Sequence, residues 1–434
     1  MGVDTALYSG VSGLNAMSNA MNVIGNNLSN SQTTGFKASR SLFSDILASE
    51  VASASGTSQV GRGVSLATVD NVFEQGSFKD TGVNTDLAID GDGFFMVSNP
   101  DQEETYYTRD GSFRFDEEGY LVNSVGYRVN GYAIDENGNA GGQLTDIHID
   151  LSGSIEPSAT TEASFSTNLN QDAEILSDDN GDGIIFNIDN PNETSNFSTS
   201  VNVYDSVGSS HQLTVYFTKT NDVNNTWEYN IVAPGDDIVG GPAGESVTIK
   251  TGDLNFSDDG SLDAAGSAGV DDEGVFTTGA IDWANGAADS NIDIALNLSQ
   301  YTGESSLVSK SQNGYASGTL SDVSVDENGI ITGSYSNGQS RQLAQVGLAK
   351  FANPNGLLQN GNNLFTETQA SGMASLGTPG SGAGTIRSNS LEQSNVDIAE
   401  QFTDMITTQR IYQANSKTIT TADEMLQEVV NLKR

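Results

Sequence analysis

The stretch whose residue types and spacing come nearest to a chemical site is Asp178-Asp179-Asn180-Gly181-Asp182-Gly183. It follows the D-x-[DN]-x-[DN]-G pattern of a calcium loop, with Asp178, Asn180 and Asp182 as oxygen ligands, Ile185 at the apolar place and Asp189 at the twelfth position. Two features oppose that chemistry. The twelfth position favours a Glu that can bind the ion through both oxygens, and the flanking segments do not read as the paired helices of such a motif. The competing reading is an acidic surface turn in an acidic domain. Two glycine runs, Asp90-Gly91-Asp92-Gly93 and Gly380-Ser381-Gly382-Ala383-Gly384, have the composition of a phosphate cradle. Neither opens a helix whose free N–H groups could face an anion, so they read as a hairpin turn and a flexible linker.

The remaining catalytic repertoire is small. There is no Cys, which excludes thiolate metal sites, disulfides and a cysteine nucleophile. His148 sits in an alternating run with Ile147 and Ile149, and His211 follows Ser209-Ser210, so both read as lone strand or turn histidines rather than general bases. No catalytic set and no cofactor site emerges, and the chain is expected not to be an enzyme. With 57 acids against 17 Lys+Arg the net charge is −40, which repels nucleic-acid phosphates and anionic bilayers. No apolar run approaches the ~20 residues of a membrane span, and the first ten residues lack the basic region ahead of an apolar core that marks a secretory leader.

The elements that must carry any function are helices at the two ends and strands between them. In the first segment Val3, Leu7, Leu14, Met17, Met21, Ile24 and Leu28 recur at heptad-like spacing. This predicts an amphipathic helix over residues 3–28, interrupted in quality by Gly10 and Gly13 and ended by Asn26, Asn27 and Asn30. In the last segment Ile398, Phe402, Met405, Tyr412, Ile419 and Leu426 form a second seam, with Ser394 and Asp397 as candidate N-caps. Gln409, Ser416 and Asp423 fall on the same seam, so its contacts must be partly polar.

From about residue 60 to 370 the chain is a series of short β-branched and aromatic runs. They are separated by Asp110-Gly111, Glu118-Gly119, Asn137-Gly138, Asp259-Gly260, Asn328-Gly329 and Asn337-Gly338. The fold class is therefore mixed but mainly β, with sandwich- or barrel-like domains in the middle and terminal helices pairing in a coiled-coil-like way. At 434 residues the chain has room for about three domains at ~150 residues each. Charge marks one of them: residues 151–303 hold 25 acids against Lys219 and Lys250, net −23, whereas residues 391–434 hold seven acids against Arg410, Lys417, Lys433 and Arg434, net −3. A strongly acidic block suits solvent, and nearly neutral ends suit close packing with copies of themselves.

The ends also carry a specific likeness. Leu7-Tyr8-Ser9-Gly10-Val11-Ser12-Gly13-Leu14, then Asn26-Asn27-Leu28-Ser29-Asn30 and Thr34-Gly35-Phe36-Lys37, resembles the N-terminal signature of bacterial flagellar rod and hook proteins. Ser394-Asn395-Val396-Asp397, followed by Phe402, Met405, Gln409-Arg410, Tyr412, Asn415, Ile419 and Leu426, resembles the matching C-terminal motif. Thr85 to Phe95 is similar to the family's first β-domain, and Val203 to His211 looks like the hook members rather than the shorter rod members.

The resemblance implies a structural subunit that self-assembles into a curved, flexible tube transmitting torque from rod to filament. It implies four parts: a tube-core helical domain (1–30 and 391–434), an extended connecting segment (31–85 and 370–390), a split inner β-domain (86–155 and 304–369) and an acidic outer insertion (156–303). It further implies an extracellular location in the hook and basal body. Its partners would be the chain itself, the distal rod, the hook cap, the hook–filament junction proteins and the flagellar type III export apparatus, which would dispense with a cleavable leader. The assembly interface expected on this basis is Leu7, Leu14, Met17, Met21, Ile24, Leu28, Ile398, Phe402, Met405, Gln409, Tyr412, Ser416, Ile419 and Leu426. Its polar members would let neighbours slide as the tube bends, and the terminal helices would order only when neighbours cover them. Two alternatives stay open at this point: a distal rod protein of the same family, and an extracellular calcium-binding β adhesin.

Overall fold

A computed structural model describes residues 2–432, apart from 54–55, 103, 136–137, 139, 177–184, 222–224 and 272–273. Asp178, Asn180 and Asp182 of the candidate calcium loop lie outside the described residues. The chain divides into two compact units: Met1–Leu151 with Ser321–Ser334 and Ser340–Arg434, and Ser152–Leu320 with Tyr335–Gln339.

The first unit contains both terminal helices, α1 (Gly2–Ser29) and α2 (Ile398–Leu432). Neither has a proline, and α2 is rich in residues that lose little freedom in a helix. Asp397 begins α2, its Oδ1 accepting the N–H of Ala399 (2.7 Å) and of Glu400 (3.2 Å). Ser394, the other candidate cap, instead accepts the N–H of Val396 before the helix starts. The connector expected to be extended contains two hairpins, Ser39–Asp45 with Val64–Asn71 and Ser49–Ser53 with Gly56–Val60.

Two short pairings then tie the outgoing chain to the returning one: Phe78–Asp80 with Ser390–Glu392, and Leu87–Asp90 with Thr385–Ser388. Beyond them a sheet runs in the order Ile330–Tyr335, Ser340–Val346, Arg128–Ile134, Phe94–Ser98, Thr105–Thr108, Leu364–Thr366, Leu358–Gln359. Its buried aromatic cluster, Phe94, Tyr107, Phe351 and Phe365, packs edge-on with ring centroids 4.7–5.9 Å apart. Asn328-Gly329 and Asn337-Gly338 are turns with the glycine at φ 73° and 81°, the left-handed region that favours Gly.

The second unit has two sheets against one core. Five antiparallel strands run in sequence, Phe197–Tyr204, Ser210–Asn221, Thr226–Pro234, Ser246–Phe256 and Leu262–Ala268. The other sheet has the order Val275–Thr277, Asp293–Tyr301, Glu162–Asn170, Ser306–Gln312, with Glu162–Asn170 and Asp293–Tyr301 parallel. Leu213, Val215 and Phe217 alternate inward as their spacing requires and meet Phe165, Leu169, Ile294 and Leu296 from the opposite sheet. This unit continues past residue 303 because Ser306–Gln312 hydrogen-bonds to Glu162–Asn170.

Candidate assembly interface

α1 and α2 pair antiparallel: Gly10 faces Ile419, Gly13 faces Asn415, and Asn27 reaches Gln401. The buried row of α1 is Gly10, Gly13, Ala16, Ala20, Ile24 and Asn27. Opposite it, the covered positions of α2 are Gln401, Met405, Thr408, Asn415, Ile419, Ala422 and Leu426. This contact within the chain is made by a different row from the one expected for assembly. Of the large apolar row on α1, only Ile24 is fully buried, and Leu7, Leu14, Met17, Met21 and Leu28 are half-buried beside the contact. On α2, Met405, Ile419 and Leu426 are partly covered, whereas Ile398, Phe402, Gln409, Tyr412 and Ser416 are exposed. At 100° per residue the contact within the chain is rotated roughly a fifth of a turn from the row expected for assembly on both helices.

The cause is steric. A Cβ on Gly10 would stand 2.8 Å from Ile419 Cγ1, and one on Gly13 would stand 2.6 Å from Asn415 Nδ2. Small residues let the helix axes approach, and the bulky row is displaced to the edge. The glycines that weaken α1 as an isolated helix, by about 1 kcal/mol each relative to Ala, are therefore what allow the pair to close.

What remains is an apolar stripe on α2 left uncovered among the described residues: Ile398, Phe402, Ile406 and Tyr412 are 43–52 % exposed. The hairpin Ser39–Asp45/Val64–Asn71 adds Leu42, Phe43, Ile46 and Leu47, the last 88 % exposed. A two-stranded ribbon is marginal alone, and exposed apolar surface of this extent marks an interaction site.

The hairpin and helices are held by amides. Asn27, 2 % exposed, donates through Nδ2 to Ser39 O (2.7 Å) and Gln401 Oε1 (3.0 Å) and accepts the Ser39 N–H (2.9 Å). Asn395 accepts the N–H of Ala38 (2.8 Å) and donates to Val72 O (2.8 Å) and Glu74 O (3.2 Å). Sequence reasoning treated Asn27 only as a helix stop; its place on the Gly10-Gly13 row, seven and three residues on from Ala20 and Ile24 in turn, was the available signal.

The other candidate chemistry resolves differently. Asp189 is exposed, with its N–H bonded to Asn187 Oδ1 (3.0 Å). Among the described residues no group of three or more acids or histidines could hold a metal ion. The Asp90–Gly93 loop closes no hairpin, since Leu87–Asp90 and Phe94–Ser98 pair with other strands. The Gly380–Gly384 run is an ordered turn seated against it: Gly384 N donates to Asp92 O (2.7 Å), and a Cβ on Gly384 would collide with Asp90 O. The glycines serve backbone approach.

His148 bonds Glu118 O (2.9 Å) and packs on Tyr120. His211, unexpectedly, anchors the second unit: it stacks on Trp283 with centroids 3.9 Å apart, and its Nε2 lies 3.1 Å from Asp205 Oδ2 and its Nδ1 3.2 Å from Asp237 Oδ2. Burial pushes the Asp205 carboxyl up, but hydrogen bonds from Asn285, His211, Ser209 and Val207 outweigh it and hold the carboxyl below the usual range.

Comparison with known proteins accounts for the whole length. Residues 7–37 match the family described as "Flagella basal body rod protein", 88–157 "Flagellar hook protein FlgE/F/G D1 domain", 168–315 "Flagellar basal body protein FlaE D2 domain" and 387–432 "Flagellar basal body rod FlgEFG protein C-terminal". The flagellar hook protein FlgE of Salmonella typhimurium is 36% identical over 427 residues, covering 98% of each chain. That of Treponema pallidum is 35% identical over 473 residues, covering 99% of each. The crystal structure of Helicobacter pylori flagellar hook protein FlgE2 superposes on 73% of this chain and all of that one, with a TM-score of 0.51 at 18% identity, a likeness of fold.

Proposed function

The chain belongs to the flagellar hook protein family and is a structural subunit of the bacterial flagellar hook, and from that premise we propose that its polymer is held by the apolar rows flanking the α1–α2 contact. The observation that carries this is the unpaired stripe Ile398, Phe402, Ile406 and Tyr412 on α2. With the half-buried Leu7, Leu14, Met17, Met21 and Leu28 of α1, it gives each helix pair two apolar edges for neighbouring copies. Covering apolar surface at ~25 cal/mol per Å² drives association without fixing a single register. Gln409 and Ser416, exposed beside Phe402 and Tyr412, keep that contact partly wet and allow copies to shift as the tube bends.

Charge supports an arrangement by radius. Copies crowd most near the tube axis, where the nearly neutral helical ends belong, and the insertion with its net −23 belongs outside, where like charges stand farther apart and salt screens them. Partners at the two ends of the tube would be the distal rod and the junction proteins, with the cap during growth and the type III apparatus during export. Electron microscopy of the assembled chain tests the reading. Curved tubes are expected; straight tubes would point to a rod protein, and absence of any polymer under assembly conditions would overturn the proposal.

A further inference from the structure

Where the first unit passes from strands to helices, four separate stretches of chain meet at one buried carboxylate. Glu392, the last residue of Ser390–Glu392, has a fully buried side chain. Its Oε1 accepts Lys37 Nζ (2.6 Å) and the N–H of Gly76 (2.9 Å), its Oε2 faces Arg109 Nη1 (3.4 Å), and its backbone O accepts the N–H of Gly35 (2.8 Å). Lys37 also donates to Glu74 O (2.8 Å), and Arg109 Nη2 donates to Gly91 O (2.9 Å). Two glycines are required for this convergence. Gly35 has φ +67° with Arg109 and Asp110 backbone against it, and a Cβ on Gly76 would collide with Gln393 O. Lys37 lies just beyond α1, Glu392 just before α2, Arg109 in the β-domain, and Glu74 to Gly76 on the return from the hairpin.

The charges do not balance. Two buried cations share one carboxylate, and Arg109 Nε has no acceptor among the described residues. Burial pushes Lys37 down, opposed by Glu392 and reinforced by Arg109; burial likewise pushes Arg109 down, opposed by Glu392 and Asp92. Removing Glu392 leaves two buried cations without their shared carboxylate, which is strongly destabilising, whereas removing Lys37 leaves Glu392 still facing Arg109 with one charge on each side.

We propose that Glu392 is the latch that sets the direction of the helix pair on the inner β-domain, acting as the shared counter-ion of Lys37 and Arg109, so that one of the two cations is in excess. Glu392 is thus a positioning residue for torque transmission, since force passing between helices and β-domain must cross this junction. The proposal separates charge from packing, because Gln keeps the shape of Glu392 and can still accept the Gly76 N–H.

The test is amide exchange on the full-length monomer in the parent, Glu392→Gln, Lys37→Met and Lys37→Met/Glu392→Gln. Exchange at Gly35 and Gly76 should rise about 100- to 1,000-fold in Glu392→Gln and less than about tenfold in Lys37→Met. The double variant should exchange at least about tenfold more slowly than Glu392→Gln alone. Amides of the second unit should be unmoved throughout. If Glu392→Gln fails to fold in the first unit, the double variant must restore folding. Equal damage from Lys37→Met and Glu392→Gln, or no rescue in the double variant, would overturn the latch. This readout needs no polymer, so failure to assemble and failure of the latch are distinct outcomes; in cells, Glu392→Gln should lose swimming and the double variant should recover it.

Discussion

Replacing Asn27 by Leu should detach the long hairpin from α1 far more than the conservative look of an Asn-to-Leu change within an apolar row suggests. Asn27 is buried and makes three hydrogen bonds, two of them to the backbone N–H and C=O of Ser39. Leu offers neither donor nor acceptor, so both groups of Ser39 lose their partner. An unsatisfied buried backbone group costs about 1–3 kcal/mol. Ser39 is half-buried, so water can recover part of that, and Leu is a slightly better helix former than Asn, by a few tenths of a kcal/mol.

The net expectation is about 2–3 kcal/mol for local opening, which corresponds to about 30- to 150-fold faster exchange of the Ser39 amide. Protease cleavage within residues 39–71 should rise in parallel. Asn26→Leu, at an exposed position one residue away, should change neither by more than about twofold, as expected for a surface site. Ser39 exchange within about threefold of the parent in Asn27→Leu would refute the assignment of Asn27 as the anchor.

Three other outcomes follow from the same geometry. Gly10→Leu should force α2 away from α1, since even a Cβ there sits 2.8 Å from Ile419, and the loss of about 1–3 kcal/mol should appear as lower helix protection. Tyr107 and Tyr229 are raised to about 12, mainly by burial and secondarily by Glu367 and Asp253 respectively. The unfolded chain gives up these protons near pH 10, so stability from them is intact below that value and falls as pH rises toward 12; phenolate absorbance should show two late tyrosines titrating together with unfolding. Gln409→Leu with Ser416→Leu should stiffen the tube, read as longer bending persistence in micrographs, and tubes that bend as the parent does would count against the wet-stripe argument.

Much of this organisation was legible because it is periodic. The row Leu7 to Leu28 located α1 closely and the row from Ile398 located the start of α2, which runs six residues past Leu426, and turn dipeptides with alternation located strands such as Ser210–Asn221. The facing of the helices was not legible. Large apolar residues dominate any hydrophobic pattern, while the closest contact is made by residues with the least side chain, Gly10, Gly13, Ala16 and Ala20. A row that is exposed in the single chain but apolar in the sequence cannot be told from an internal seam by spacing alone.

Long-range electrostatics were equally hidden. Lys37 and Glu392 are separated by 355 positions, so nothing local announces their pairing. His211 and Asp205 are close in sequence, but Trp283 and Asp237, which complete the stack and the second carboxylate, come from other turns of the second unit.

The exposed stripe of α2 is most directly tested with Phe402→Glu/Ile406→Glu in the full-length chain. Both side chains are about half exposed and outside the covered row of α2, so monomer helicity and unfolding should match the parent within about 0.5 kcal/mol. Under conditions where the parent forms tubes, electron microscopy should show none. Tubes of ordinary length and curvature from this variant would contradict the account.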